Sequence, residues 1–381
     1  MKESDKYFSI KSKDVGFVSL KGKSGERLAL IGLDPDLPLP VITEKLIKDL
    51  SNSSEDKEIS VDQIVEGISY TLGADENFPH KKDYVKILKY YSPDIDKLLL
   101  RKALEELDNG DLVTSGMYLR TLKQLIPSHD GDFYYAIVLE RLAEEMLQSE
   151  DPSKGIKFLQ ESTLILEKIL EEDSEYYPAY YKLGYHYRYH NQFAKAKLTW
   201  DKVLSLDPDE FRKEEIRLQL ESVETDYRIE MALSYMDNMK YDLALDHLLK
   251  LLPAESKNWY VNYLIGLAYR GYGDVENAIE YLNISLELKD NVADTYNELG
   301  ISYFNEGDIG TAIEIFTDGL VKCGEDYRLY FNRGLGRLNT GDFDSGLLDI
   351  RTAHKLNPKD EGVKAQLYSL ENYMKEKGGS I

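Results

Sequence analysis

A chain of 381 residues carrying 47 Lys and Arg against 69 Asp and Glu, a net charge of −22, is long enough for two or three globular units or one extended array. That charge repels phosphate backbones and anionic lipid, which argues against nucleic-acid and membrane-surface partners. A single cysteine, Cys323, excludes an intramolecular disulfide framework and suits a reducing cytoplasm; no apolar run approaches the roughly 18 residues of a membrane span, and the opening MKESDKYFSI reads as lacking a signal peptide.

In chain order, YFSIK, GFVSL and RLALIGL are short β-prone runs, and KGKSGE between the last two reads as a turn, so a small hairpin or three-stranded sheet is expected. LDPDLPLP reads as a stiff connector. VITEKLIKDL and SVDQIVEGISYTL read as helices, the second opened by a Ser60/Gln63 capping box, with SNSSEDKE between them as a loop. Residues 1–92 are thus expected to form a small α+β region. GFVSLKGKS approaches the phosphate-loop pattern, but five residues rather than four separate Gly16 from Gly22, and a strand rather than a helix is expected after Ser24. No other nucleophile, metal-ligand or dinucleotide signature stands in the chain, so neither an enzyme nor a bound cofactor or metal is expected.

Further along, a fixed period appears. Gly266, Gly300 and Gly334 stand 34 residues apart, as do Ala278, Ala312 and Gly346, and Leu282, Phe316 and Ile350. Each unit reads as a helix, a Gly-Asp turn and a second helix, with small residues where the two helices must approach closely.

This unit resembles the tetratricopeptide repeat. That pattern asks for a large residue at position 4, an aliphatic and a small residue at 7 and 8, and an aromatic at 11; small residues follow at 20 and 27, around a large one at 24. The unit from Ala293 supplies Tyr296, Leu299, Gly300, Tyr303, Ala312, Phe316 and Gly319. The unit from Trp259 supplies Ile265, Gly266, Tyr269, Ala278, Leu282 and Ser285, but has Asn262 at position 4. In the unit from Tyr327, Arg333 and Arg337 stand at the aliphatic and aromatic positions, which marks it as the weakest packed of the three. Earlier units start near Asp96, Ala136, Tyr177 and Thr225. The resemblance covers residues 96–360. It implies an all-α, right-handed solenoid of about seven helix-turn-helix units over 93–360, closed by a capping helix and tail at 361–381 with Val363, Leu367 and Leu370 on one stripe.

Fourteen extra residues, FRKEEIRLQLESVE at 211–224, are close to four helical turns and are expected to lengthen a helix in phase and project past the solenoid edge. In YYPAYYKLGYHYRYH at 176–190, Tyr180 and Tyr187 take the core positions 4 and 11, while Tyr181, Tyr185 and Tyr189 take positions 5, 9 and 13, which in this family line the concave face. His186 and His190 are four apart, as a zinc pair on a helix would be, but no third ligand is near in sequence. His186 also takes position 10, where other units carry small residues, which implies a looser joint.

The resemblance therefore implies a non-catalytic protein-protein interaction module: a cytoplasmic adaptor or scaffold holding a peptide or helical segment of a partner in the concave groove. The expected lining is Tyr181, Tyr185, Arg188, Tyr189, Tyr260, Tyr263, Arg270, Asn297, Arg328, Phe331 and Asn332, rich in the aromatic and Arg residues that dominate binding hot spots. Within it Tyr185 and Tyr263 are expected to be open to solvent, and Tyr187 and Tyr303 buried between paired helices. The Lys and Asn set with which chaperone-binding members hold a C-terminal carboxylate is missing, since Tyr181 and Tyr185 stand where the first two of its residues would be. The alternative is an intracellular peptide-sensing signalling receptor with the N-terminal region as its output domain.

Overall fold

The computed structural model of the protein describes residues 2–20, 23–51, 59–149 and 151–376, and it divides into two compact units, Met1–Gln219 and Leu220–Ile381.

The first unit opens with helix α1 (Glu3–Ile10), a 3-10 turn over Lys11–Asp14, strand β1 (Val15–Val18), α2 (Lys23–Leu30), β2 (Leu39–Ile42) and α3 (Thr43–Ser51), followed by α4 (Val61–Ala74) and α5 (Lys81–Tyr91). The expected hairpin of consecutive strands does not form. YFSIK enters α1 because Phe8 at 0% exposure becomes core, and because the Glu161 carboxylate accepts the free amides of Glu3 and Ser4 at 2.9 and 3.2 Å. RLALIGL enters α2 and the turn after it, burying Leu28 and Leu33, so its apolar spacing serves a helix as readily as a strand. The partner of β1 is instead the end of the supposed connector, paired antiparallel with Val15 opposite Ile42 and Val18 opposite Leu39. Pro40 is tolerated because this two-stranded sheet has only edges. Of the expected turn KGKSGE, Lys21 and Gly22 lie outside the described residues and Lys23–Glu26 enter α2, which removes the argument that a strand follows Ser24; of the loop SNSSEDKE, Ser51 ends α3 and 52–58 lie outside the described residues.

The Ser60/Gln63 capping box forms as expected, with both reciprocal bonds present. It starts an α4 whose Gly67 lies so close to β2 that a Cβ there would fall under 3.0 Å from the Pro40 carbonyl oxygen. Beside it the buried Arg120 donates to the Gly73 carbonyl at 2.6 Å, to Asp5 at 2.9 Å and to the Tyr135 hydroxyl at 3.1 Å, and covers the Phe8 ring. One continuous core, from Phe8 to Leu159, thus joins α1, α2, β2, α4 and α5 to the helix pairs that follow.

Those pairs are α6 (Ile95–Asp108) with α7 (Leu112–Leu125), α8 (His129–Leu147) with α9 (Pro152–Glu172), and α10 (Tyr177–Tyr189) with α11 (Phe193–Leu206). In the last of them Trp200, 0% exposed, lies against Gly184, the small residue that lets the two helices meet. Next comes α12 (Glu210–Ser222), whose last residues belong to the second unit. It is the fourteen-residue insert. A break at Val223 separates it from the next helix, and it turns back along α10 through Glu215 and Gln219 with Ile216 fully buried, instead of projecting.

The second unit continues with α13 (Glu224–Asp237) and α14 (Tyr241–Leu249), a short α15 (Leu252–Glu255), and then the pairs α16 (Trp259–Tyr272) with α17 (Val275–Leu288), α18 (Ala293–Asn305) with α19 (Ile309–Cys323), and α20 (Tyr327–Asn339) with α21 (Phe343–Leu356). The repeated Asp of each Gly-Asp turn caps the following helix: Asp274, Asp308 and Asp342 accept the amides of Asn277, Thr311 and Ser345. Asn262, the departure at position 4, is buried and donates to the carbonyls of Ser256 and Asn258, replacing apolar packing by two hydrogen bonds. A last helix, α22 (Glu361–Glu376), packs on α21 through Leu367 and Leu370, with Val363 of the expected capping stripe also buried. Counting both units, the described residues form seven helix pairs in tandem with a small N-terminal sheet.

Candidate protein-binding site

In the first unit, α10 has Pro178 in its first turn, where its fixed φ fits, and carries Tyr181, then Tyr185, then Arg188 and Tyr189 one turn further on each time. Tyr181 and Tyr185 both donate to one oxygen of Glu215 from α12, at 2.9 and 2.5 Å, and Arg188 donates to Gln219. Burial, followed by the Glu215 carboxylate, pushes the Tyr185 hydroxyl up from its ordinary pKa. Tyr189 is 56% exposed.

The base of α12 is fixed by Asp207, which is 1% exposed and takes the guanidinium of Arg212 on both oxygens at 2.7 Å. Arg212 holds the Asp207 carboxyl below the usual carboxylate range. A carboxyl depressed on folding contributes stability that is complete above its unfolded pKa, near pH 4, and is lost as pH falls through the lower folded value. Asp207→Asn is therefore expected to lower stability at pH 7 and to matter progressively less below about pH 4, a difference that urea melts between pH 7 and 2.5 read directly.

In the second unit the remaining expected residues come together across three successive first helices. Tyr260 and Tyr263 of α16 stack at 6.2 Å. Arg270 of α16 reaches Glu298 of α18 at 2.5 Å. From α20, Asn332 donates to Asn297 at 2.7 Å and Arg328 bridges Asp294 and Asp326 at 2.6 and 2.8 Å. Tyr263 is pushed up to about 12 by burial and by the Glu298 and Asp294 carboxylates beside it. Phe331 is drawn partly into the core under α21 and α22. The arginines are thus already neutralised by neighbours in their own unit.

The expected contrast between open and buried tyrosines is not found, because Tyr185, Tyr263, Tyr187 and Tyr303 are all half-buried. Tyr187 extends past its partner helix to donate to Glu167 at 2.7 Å, while Tyr185 packs its ring edge-on against Trp200 at 5.2 Å. With a ring contact and a charge-assisted hydrogen bond to lose, Tyr185→Ala is expected to destabilise by about 2 kcal/mol, as much as Tyr187→Ala. Equal denaturant midpoints for wild type and Tyr185→Ala would contradict this.

His186 does not loosen its joint. It is 2% exposed, with Nδ1 2.9 Å from the Thr163 hydroxyl of α9 and Nε2 3.8 Å from Glu140 of α8, so the imidazole fills the space with polar contacts. His190 is the C-terminal cap residue of α10. Among the described residues, no three His, Cys, Asp or Glu side chains are grouped so as to hold a metal ion, and no helix is long and apolar enough to cross a membrane.

Residues 260–291, which form α16, its Gly-Asp turn and α17, match the family model of the tetratricopeptide repeat. Residues 260–291 are a tetratricopeptide repeat. The same 34-residue step carries the register to its neighbouring pairs. No curated protein matches this chain. Among solved structures it is similar to a tetratricopeptide repeat protein from Parabacteroides merdae, at 16% identity over 72% of this chain and 98% of that one with a TM-score of 0.35. It is also similar to YrrB, described as having an unusual peptide-binding site, at 20% identity over 54% and 97% with a TM-score of 0.38. A third similar structure is MamA, at 22% identity over 46% and 95% with a TM-score of 0.37.

Reading the sequence missed Glu215, Gln219 and Arg212 of α12, whereas the partner acids Asp294 and Glu298 fall at groove positions of the repeat register. A signal for the first group was present: Phe211 stands 34 residues after Tyr177, which places α12 in register as a further first helix and Glu215 at position 5.

Proposed function

We propose that this protein is a non-catalytic adaptor or scaffold that binds an extended or helical segment of a partner protein along the first helices of its repeats, in the cytoplasm. The observation that carries the reading is the row across α16, α18 and α20. There Asn297, Arg328 and Asn332 are held by bonds between α18 and α20, and Tyr260 and Tyr263 stack on each other along α16. A preorganised face of aromatic and amide groups loses little side-chain entropy on binding. Because Arg270 and Arg328 already pair with Glu298 and Asp294, recognition rests on the rings and amides, with the ion pairs setting their geometry. The described residues of 1–92, built into the core of the first unit, act as its structural base in this reading.

Affinity capture from native lysate, comparing wild type with Tyr185→Ala plus Tyr263→Ala, tests the reading, with thermal melts to show that the variant stays folded. Loss of specific captured proteins from the variant is the expected result. An unchanged set of captured proteins with a folded variant would contradict it.

A further inference from the structure

In the first unit, the starts of α8, α10 and α12 surround an open cavity of about 580 Å³, within the size range of small-ligand sites. Five aromatic rings line it: Phe133, Tyr134, Tyr176, Tyr177 and Tyr181. Its charged groups are unequal in a way that selects a ligand. The two cations are engaged by carboxylates outside the cavity, Lys182 by Glu140 at 3.1 Å and Arg212 by Asp207 at 2.7 Å. The three carboxylates are not matched. Asp130 accepts the Tyr176 hydroxyl at 2.7 Å, Asp173 accepts the Glu175 amide at 3.0 Å and lies 3.8 Å from His129, and among the described residues no Lys or Arg pairs with Asp130, Asp173 or Glu175.

A cavity of π faces with uncompensated carboxylates attracts a cation that can lie flat on a ring, and it disfavours anions and neutral polar groups. The protein already uses one of these rings in that way, since the guanidinium of Arg212 lies 5.6 Å from the centroid of Tyr177. We propose that this cavity is a binding site for a guanidinium group, the side chain of an arginine on a partner protein. The net charge of −22 favours a basic segment approaching it. The site rests on the reading of the chain as a module that binds protein segments, and it names the anchor such a segment would carry.

Full-length protein with isotopically labelled tyrosine rings, titrated with N-acetyl-arginine amide and with its neutral isostere N-acetyl-citrulline amide, tests the site by NMR. Saturable shifts of the cavity tyrosines are expected with the arginine probe, with binding at least about tenfold weaker for citrulline. Glu175→Gln, at an exposed position with no charged partner, is expected to weaken arginine binding severalfold without changing the melt, and Tyr134→Leu to weaken it further. Absence of saturation, equal response to both probes, or unchanged affinity in Glu175→Gln would overturn the site. The outcome is separable from the groove: arginine binding with unchanged partner capture would sink the groove alone, and partner loss without arginine binding would sink this cavity alone.

Discussion

Replacing Asp349 by Ala is expected to destabilise the protein by about 3 to 5 kcal/mol, the usual consequence of removing one member of a buried ion network. Asp349 is 3% exposed and receives Arg333 on both oxygens at 2.8 Å and Arg337 at 2.7 Å, while Arg333 also donates to Thr317 and covers the Tyr330 ring. These two arginines stand where the repeat pattern asks for an aliphatic and an aromatic residue. Instead of a loosely packed pair, α20 and α21 close around a network in which the guanidinium groups replace apolar contacts with charge-assisted hydrogen bonds. Removing the carboxylate leaves two guanidinium groups, 13% and 25% exposed, without an anion. Restoring the pattern in full with Arg333→Leu, Arg337→Tyr and Asp349→Ala should be neutral or stabilising, because desolvating three charges is avoided. Urea melts of both variants decide the matter, and a loss under about 1 kcal/mol in Asp349→Ala would mean that solvent already screens the network.

Gly300→Leu is expected to cost roughly 4 kcal/mol, above the usual 1 to 3 for overpacking, because the added side chain meets a fully buried ring. A Cβ alone at Gly300 would stand under 3.0 Å from three atoms of the Phe316 ring, and Phe316 is itself 0% exposed between α18 and α19. Gly307 makes the informative contrast. Its φ of +85° favours glycine, but nothing stands within 4 Å of a Cβ there, so Gly307→Ala should cost only about 1 to 2 kcal/mol of backbone strain. Similar losses in the two variants would mean that the helices can part at Gly300, and that the close approach does not fix the register.

The repeat was legible because the same steric demand recurs at the same step: Gly266, Gly300 and Gly334 each face a large side chain of the paired helix. The capping box at Ser60 and the stripe on α22 were legible because they are local. What the residues did not disclose depends on distant partners. YFSIK has strand propensity, yet α1 forms because Glu161, far along the chain, supplies the anion for its first turn. The insert at 211–224 shows the three-and-four spacing of a helix, and that spacing is the same whether the helix projects or lies on α10. Among the expected binding residues, sequence register placed Tyr260, Tyr263, Asn297, Arg328 and Asn332 on adjoining helices. It could not show that Arg270 is held by Glu298, because that pairing depends on how α16 and α18 stack.

The binding face is tested most directly by site-specific photocrosslinking, with benzoylphenylalanine placed at Tyr263 on the proposed face or at Val321, which is 78% exposed on the second helix of its pair. Discrete protein adducts from position 263, absent from position 321 and competed away by excess unlabelled wild-type protein, are the result predicted here. Adducts of equal yield at both positions, or none at 263 while 321 gives them, would contradict the claim that partners bind along the first helices.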